Sequence, residues 1–390
     1  MKANSRQLSL VLTTLALGIT TSFSQSASAA TLYSVLDLGV ITEIDTVDAI
    51  DVNDLGQVLG ESGNIEDGPV TFRTAPNRPI NPATDIIDTD LITFSNDINN
   101  SGQVVGNTFG GRLSNGVRTD ANGLLTDNLF PVVDANAIND LGQIAGRGLV
   151  AGCNFGCSEP ERFNAVRVEN SNNGTPQIID LGTLGGRGSG GIGINDLGQV
   201  VGTSTTSDGQ DRAFRTAPNS AINPATDNLG TLGGSSFASD INNLGQVVGN
   251  STTANGENHA FRTAANSAIN PETDDLGTLG GNFSRAEAIN ELGQVVGSST
   301  LNSGDIRAFL FDENTMFDLN DLVAGDVDFT FTEAVGINES GQIAVNGFFG
   351  NDTQNSRAFL LTPVPEPTSM LGVLAFGAGA GILRKRAKRA

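Results

Sequence analysis

One phrase recurs seven times along the chain and constrains its fold more than any other feature. It reads Ile-Asn-x-x-Gly-Gln-Val/Ile, with Val52 in place of Ile in the first copy, and its asparagines are Asn53, Asn99, Asn139, Asn195, Asn242, Asn290 and Asn338. The steps between them are 46, 40, 56, 47, 48 and 48 residues, and Gly56, Gly102, Gly142, Gly198, Gly245, Gly293 and Gly341 follow, each with Gln next. Such self-similarity marks an architecture in which one supersecondary unit buries its apolar face only against its neighbours. A β-branched residue precedes the Asn and follows the Gln, so two strands flank Asn-x-x-Gly. Asn first and Gly fourth suit a type I turn closed by a left-handed glycine, the hairpin with a G1 bulge. Before the turn, Ala286, Ala288 and Asn290 alternate with Glu287 and Ile289, the pattern of a strand with one tightly packed face.

Two further elements complete each unit. Upstream lies Asp-Leu-Gly-Thr-Leu-Gly-Gly, clean at 180–186 and 275–281, without its Asp at 229–234, and degenerate near Asp37-Leu38-Gly39, Asp90-Leu91, 127–129 and Asp318-Leu319. Downstream lies a short strand ending in Ala-Phe, at Phe214, His259-Ala260-Phe261, Ala308-Phe309 and Ala358-Phe359, with Phe72 and Val166 in related positions. A linking loop recurs at 72–85, 214–227 and 261–274. About four short strands per ~47 residues, seven times over, predict an all-β chain folded as a seven-bladed β-propeller-like ring. The 333 residues of 31–363 divide into seven units of about 48 without a remainder. The alternative is an open β-solenoid or array, whose usual signature is a shorter repeat with parallel coils.

Composition agrees with strands and turns. Only 16% of residues are charged, there are 49 glycines and no Trp, so polarity rests on Asn, Ser and Thr rather than on the Glu and Lys of surface helices. The only lysines are Lys2, Lys385 and Lys388, and 31–363 carries 42 acidic residues against 14 arginines. A net charge of −28 over that body repels phosphate backbones and excludes nucleic acid as a partner. It suits solubility, basic partners or divalent cations.

Both ends read as addresses. Residues 1–29 have a basic start (Lys2, Arg6), an apolar stretch at 8–19 and the small-x-small site Ala27-Ser28-Ala29, the parts of a secretory signal peptide cleaved by recognition of Ala27 and Ala29. The repeat domain then occupies 30–363. Residues 364–390 form a tail: Pro365-Glu366-Pro367, a Gly-rich apolar run of 14 residues at 370–383, and a basic block from Arg384 to Arg389. Fourteen residues are short for a permanent span, so the tail predicts transient membrane anchoring through a removable segment.

These residues also carry two resemblances. Pro-Glu-Pro, a short apolar helix and an Arg-rich end resemble the PEP-CTERM sorting domain of bacterial surface proteins. That implies processing by an exosortase-type membrane protease in a Gram-negative-type bacterium that makes exopolysaccharide. His-Ala-Phe and Asp-Leu-Gly-Thr-Leu-Gly-Gly beside Ile-Asn-x-x-Gly-Gln-Val-Val-Gly resemble the HAF family of extracellular repeats over essentially all of 31–363. Arg212, Arg307 and Arg357 stand where His259 carries the family's eponymous histidine, and the family lends no defined activity.

Candidate chemistry is sparse. In an exported chain Cys153 and Cys157 predict a small disulfide loop; a metal site would need further soft ligands, which one distant His cannot supply. His259 has no nucleophile partner set off by a motif. Asp54, Asp140, Asp196, Glu291 and Glu339 follow the turn asparagines, with Asn100 and Asn243 elsewhere, and read as solvated turn residues, since calcium needs about six to eight convergent oxygens. Gly185-Gly186-Arg187-Gly188 lacks the Gly-Lys-Ser/Thr ending of a phosphate loop. No cofactor or metal is expected. The sequence therefore points to an exported cell-surface or extracellular-matrix protein acting as a non-enzymatic scaffold linked to exopolysaccharide or biofilm, with exopolysaccharide or a surface protein as partner. The rival is an extracellular carbohydrate-binding or carbohydrate-active propeller.

Overall fold

The computed structural model describes residues 31–41, 46–64, 68–87, 92–110, 113–121, 125–128, 132–149, 162–169, 176–323, 328–350 and 355–365. They are all-β, arranged in six hydrogen-bonded sheets, with one 3-10 turn at Leu319–Leu322 and no α-helix among the described residues.

Each Asn-x-x-Gly turn joins the first two strands of a sheet. The Asn53 sheet contains Thr46–Val52, Val58–Asn64 and Gly68–Arg73. The Asn99 sheet has Phe94–Ile98, Val104–Gly110, Leu113–Thr119 and Leu125–Asn128. The Asn139 sheet has Val132–Ile138, Ile144–Leu149, Phe163–Glu169 and Gln177–Gly182, and the Asn195 sheet Gly185–Ile194, Val200–Thr206 and Asp211–Arg215. Two units share the seven-stranded sheet: Gly233–Ile241, Val247–Thr253 and Asn258–Arg262 around Asn242, then Gly280–Ile289, Val295–Leu301, Ile306–Asp312 and Thr315–Asp318 around Asn290. A single parallel bridge, Asn258 to Phe283, joins them. The Asn338 sheet has Phe329–Ile337, Ile343–Phe349 and Arg357–Pro363, and its outer edge is taken by Tyr33–Asp37, antiparallel, with Tyr33 opposite Pro363.

Two expectations are corrected. Four strands do not form in every unit. After Phe72, Phe214 and Phe261 the fourth strand shrinks to isolated bridges to Ile86, Asn228 and Asp275. The recurring loop explains it: Asn81-Pro82, Asn223-Pro224 and Asn270-Pro271 place a proline, which cannot donate to a ladder, inside each connection. The phase also differs. Asp180-Leu181-Gly182 lies in the outer strand of the Asn139 sheet, paired with Phe163–Glu169, and so completes the preceding unit rather than opening the next.

The inner strand of every sheet carries a register shift three residues before its Asn, at Ile50, Asn96, Asn136, Ile192, Ser239, Glu287 and Val335. A bulge bends the strand and turns the extra side chain out of the ladder. It also explains the glycine of Val-Val-Gly. At Gly249 a Cβ would overlap the carbonyl oxygen of Phe237, and at Gly202 and Gly297 those of Gly190 and Arg285. Opposite these glycines sit Phe214, Phe261 and Phe309, fully buried.

Seven apolar clusters among the described residues fill the spaces between consecutive sheets. One, for example, joins Val201 and Ala213 to Leu232, Ala238 and Phe261. Another joins Val47, Val58 and Phe72 of the first sheet to Ala344, Ala358 and Leu360 of the last.

Candidate functional site

The turn asparagines do more than start a turn. Asn53 Oδ1 accepts the N–H groups of Leu55 (3.2 Å) and Gln57 (3.0 Å), while Nδ2 donates to Gln57 Oε1 (2.9 Å) and to the carbonyl of Asn99 (3.1 Å). All four hydrogen-bonding sites of a side chain only 4% exposed are therefore filled. The last bond crosses to the next sheet and repeats: Asn99 to Asn139, Asn139 to Asn195, Asn195 to Asn242, Asn242 to Asn290, and Asn290 to Asn338. Asn338 Nδ2 then donates to Asn53 O at 3.0 Å, 285 residues back. The seven bonds form a cycle. Gly56, Gly102, Gly142, Gly198, Gly245, Gly293 and Gly341 all have φ between 70° and 78°, and each donates its N–H to the Asn carbonyl three residues earlier.

A second cycle lies outside the first, and it corrects the reading of the next residues as merely solvated. The Asp54 N–H is bonded to Asn100 Oδ1 (2.8 Å), and Asn100, Asp140, Asp196, Asn243 and Glu291 donate in turn to the side chains of Asp140, Asp196, Asn243, Glu291 and Glu339. Glu339 N–H returns to Asp54 Oδ1 at 2.9 Å. Asn100 Nδ2 also donates to Asp54 and Asp140, separating two carboxylates. These acids cap neighbouring turns because the repeat brings each beside an N–H of the preceding turn. Residue type and spacing alone do not reveal that contact.

A cavity of about 530 Å³ runs along the inner strands and is lined from all seven units. Three acids two residues before their asparagines, Asp51, Asp97 and Asp240, face it; Ala137, Gly193, Ala288 and Gly336 hold the same position elsewhere. Asp97 accepts the N–H of Ile98 (2.6 Å) and of Ile138 in the next sheet (2.7 Å), and Asp240 likewise bonds Ile241 (2.7 Å) and Ile289 (3.0 Å). Burial pushes Asp240 up to about 6. Burial raises the carboxyls of both Asp51 and Asp97, and the neighbouring Asp51 charge raises Asp97 further. Glu287 rises to about 7 through burial, against the pull of Arg285 at 2.9 Å. The sequence carries a signal for the three acids, a shared offset of two residues before the Asn.

His259 Nδ1 lies 2.9 Å from Asp275 Oδ1, the Asp of the following Asp-Leu-Gly. Arg357 to Asp37 (3.0 Å) and Asn164 to Asp180 (2.9 Å) repeat that link, which ties the two sequence phrases together as partners. Gly185–Ile194 is the inner strand of its sheet. No group of three or more His, Cys, Asp or Glu among the described residues is arranged to hold a metal ion. Ala27, Ala29, Cys153, Cys157, Glu366 and Pro367 lie outside the described residues; Pro365 is exposed just beyond the last strand.

No family model matches the chain, and no curated protein matches it. Among solved structures it is similar to a protein of unknown function from Dyadobacter fermentans, at 10% identity and a TM-score of 0.40, covering 85% of this chain and 98% of that one. TolB from Acinetobacter baumannii aligns at 12% identity and a TM-score of 0.39, over 81% and 79% of the two chains. The BP39L lectin from Burkholderia pseudomallei aligns at 11% identity and a TM-score of 0.39, over 82% and 98%. At these values the similarity has no bearing on what this chain binds.

Proposed function

We propose that the seven units close into a seven-bladed β-propeller, exported to the cell surface or matrix, that serves as a non-enzymatic interaction scaffold. The observation that carries the reading is the cycle of seven asparagine side chains, whose last bond runs from Asn338 to Asn53. An open solenoid has no use for that bond, nor for the cluster that packs Phe72 with Leu360. A scaffold is favoured over an enzyme because the rim carboxylates are each engaged by a neighbouring N–H and His259 is engaged by Asp275. Export rests on the leader at 1–29. Transient anchoring and cleavage by an exosortase-type protease rest on the tail at 364–390 and on its resemblance to the PEP-CTERM domain. An exopolysaccharide or a surface protein is the partner this address favours.

Deleting residues 243–290 tests the architecture. It removes one repeat of 48 residues and leaves Asn242 followed by an intact turn. A propeller variant fails to fold or aggregates through opened sheet edges. A soluble, cooperatively folded six-unit protein with a proportionally smaller denaturant m-value would overturn the ring.

A further inference from the structure

One place breaks the sevenfold likeness. Between the Asn139 and Asn195 sheets lies a groove of about 610 Å³, within the usual range for small-ligand sites. It is open because of glycine. Five residues before the turn asparagine, the other units carry Asp48, Phe94, Asp134, Phe237, Arg285 and Glu333, and this one has Gly190; seven before, it has Gly188. Into that space project Arg147, Arg162 and Arg187, three of the 14 arginines of a body with 42 acids.

The three guanidinium groups are not alike. Arg147 is fixed, 2.8 Å from Asp134 and with its Cζ 5.0 Å from the centroid of the Phe163 ring. Arg162 and Arg187 are exposed and make no ion pair or hydrogen bond among the described residues. The remaining wall offers the hydroxyl of Thr203 and the carboxylate of Asp211, while Ser204 and Thr205 engage their hydroxyls with the backbone of Leu184 and Gly188. Uncommitted guanidinium groups favour a planar oxyanion. The Thr203 hydroxyl and the Asp211 carboxylate beside them match a ligand that itself carries hydroxyl groups.

We infer that this groove binds an oligosaccharide bearing an isolated carboxylate, a uronate. The net charge of the chain decides against a polyanion. A body at −28 repels an acidic peptide along its whole length, whereas one carboxylate among neutral sugar hydroxyls meets the arginines at close range and bears little of that field. The inference deepens the scaffold reading by naming its ligand class and rests on it only for a binding role. The groove itself needs two neighbouring sheets, not a closed ring.

The test is titration calorimetry on the purified protein with cellobiouronate and digalacturonate as probes, cellobiose as the neutral control and tetraglutamate as the peptide control. At least one uronate binds, cellobiose binds about tenfold more weakly or worse, and Arg162→Gln with Arg187→Gln lowers uronate affinity about tenfold. Both arginines are exposed, so an unchanged melting temperature accompanies that loss, and Asp196→Asn, on the turn side, leaves binding intact. Four outcomes would overturn the inference: no uronate binding, equal binding of cellobiose, indifference to the double substitution, or tetraglutamate binding as tightly as the uronates. The deletion of residues 243–290 reads the architecture separately, so either result stands without the other.

Discussion

Asn346 holds both backbone polar groups of Ala49, accepting its N–H at 2.8 Å and donating to its carbonyl at 3.0 Å across 297 residues. One amide side chain thus substitutes for a strand partner between the last sheet and the first. Asn107 and Glu61 reach the equivalent N–H groups of Ala135 and Ser95 from the same strand position. Asn346→Leu leaves two buried backbone groups unpaired and should cost about 2–4 kcal/mol. Asn250→Leu, at the matching position but bonded only to Asn258, should cost under about 1 kcal/mol. Urea midpoints give the ranking, and equal losses would mean that the first and last sheets do not meet in solution.

At the rim, Asp196 Oδ1 accepts the Asp140 N–H at 3.0 Å and Oδ2 accepts from Asn243 Nδ2 at 3.1 Å. Asp196→Asn keeps an acceptor of the kind that Asn100 and Asn243 already supply, and should shift stability by less than about 0.5 kcal/mol. Asp196→Ala removes it and should cost about 0.5–1 kcal/mol more. Thermal melts that rank alanine equal to asparagine would show that the second cycle does not form.

Two glycines separate steric need from conformational need. Gly256 has φ +87° and open space around it, so Gly256→Ala should cost about 1 kcal/mol. Gly249→Ala drives a methyl into the Phe237 carbonyl and should cost about 3 kcal/mol or more. The reverse order would remove the bulge from the inner strand.

Acid should stabilise the protein. Asp240, raised to about 6, and Glu287, raised to about 7, both bind protons more tightly folded than unfolded. Their stabilising protonation is complete below the unfolded value near pH 4 and is lost as pH rises through 6 to 7. The melting temperature should therefore be higher at pH 5 than at pH 7.5. Glu287→Gln should flatten the upper part of that slope, and an unchanged slope would mean that Glu287 is solvated.

Processing gives a separate check on the tail. Intact-mass analysis of the surface-displayed form should lack residues 384–390. Their presence would make the segment a permanent anchor.

Much of the strand pattern was readable from single positions. The Asn-x-x-Gly spacing marks the hairpin at Ile289-Asn290 as plainly as at Ile241-Asn242, but the alternation read before it does not hold, because the bulge at Glu287 resets the faces and buries Ile289 together with Ala286. What the sequence could not show is which unit an outer segment joins. Asp180-Leu181-Gly182 sits midway between two hairpins, and only the pairing of Val166 with Asp180 assigns it backward. The sites were less legible still. Asp97 acts by reaching Ile138 in the next sheet, and Arg147, Arg162 and Arg187 converge from three strands or their ends. Such contacts depend on how one unit is placed against the next, which a repeat leaves unwritten.

Tyr33–Asp37 takes its ladder partner from Arg357–Pro363, with Tyr33 also bridging to Val323. A ribosome makes the first of these strands about 320 residues before the second, and through that stretch of synthesis the earlier one lacks its ladder partner. Any chain released before residue 357 carries an unmatched edge and an unfilled place beside Leu38. The seven-residue strand Arg357–Pro363 therefore decides when that edge stops being open to stray pairing, and the interval before it arrives is when this part of the fold is most exposed to aggregation.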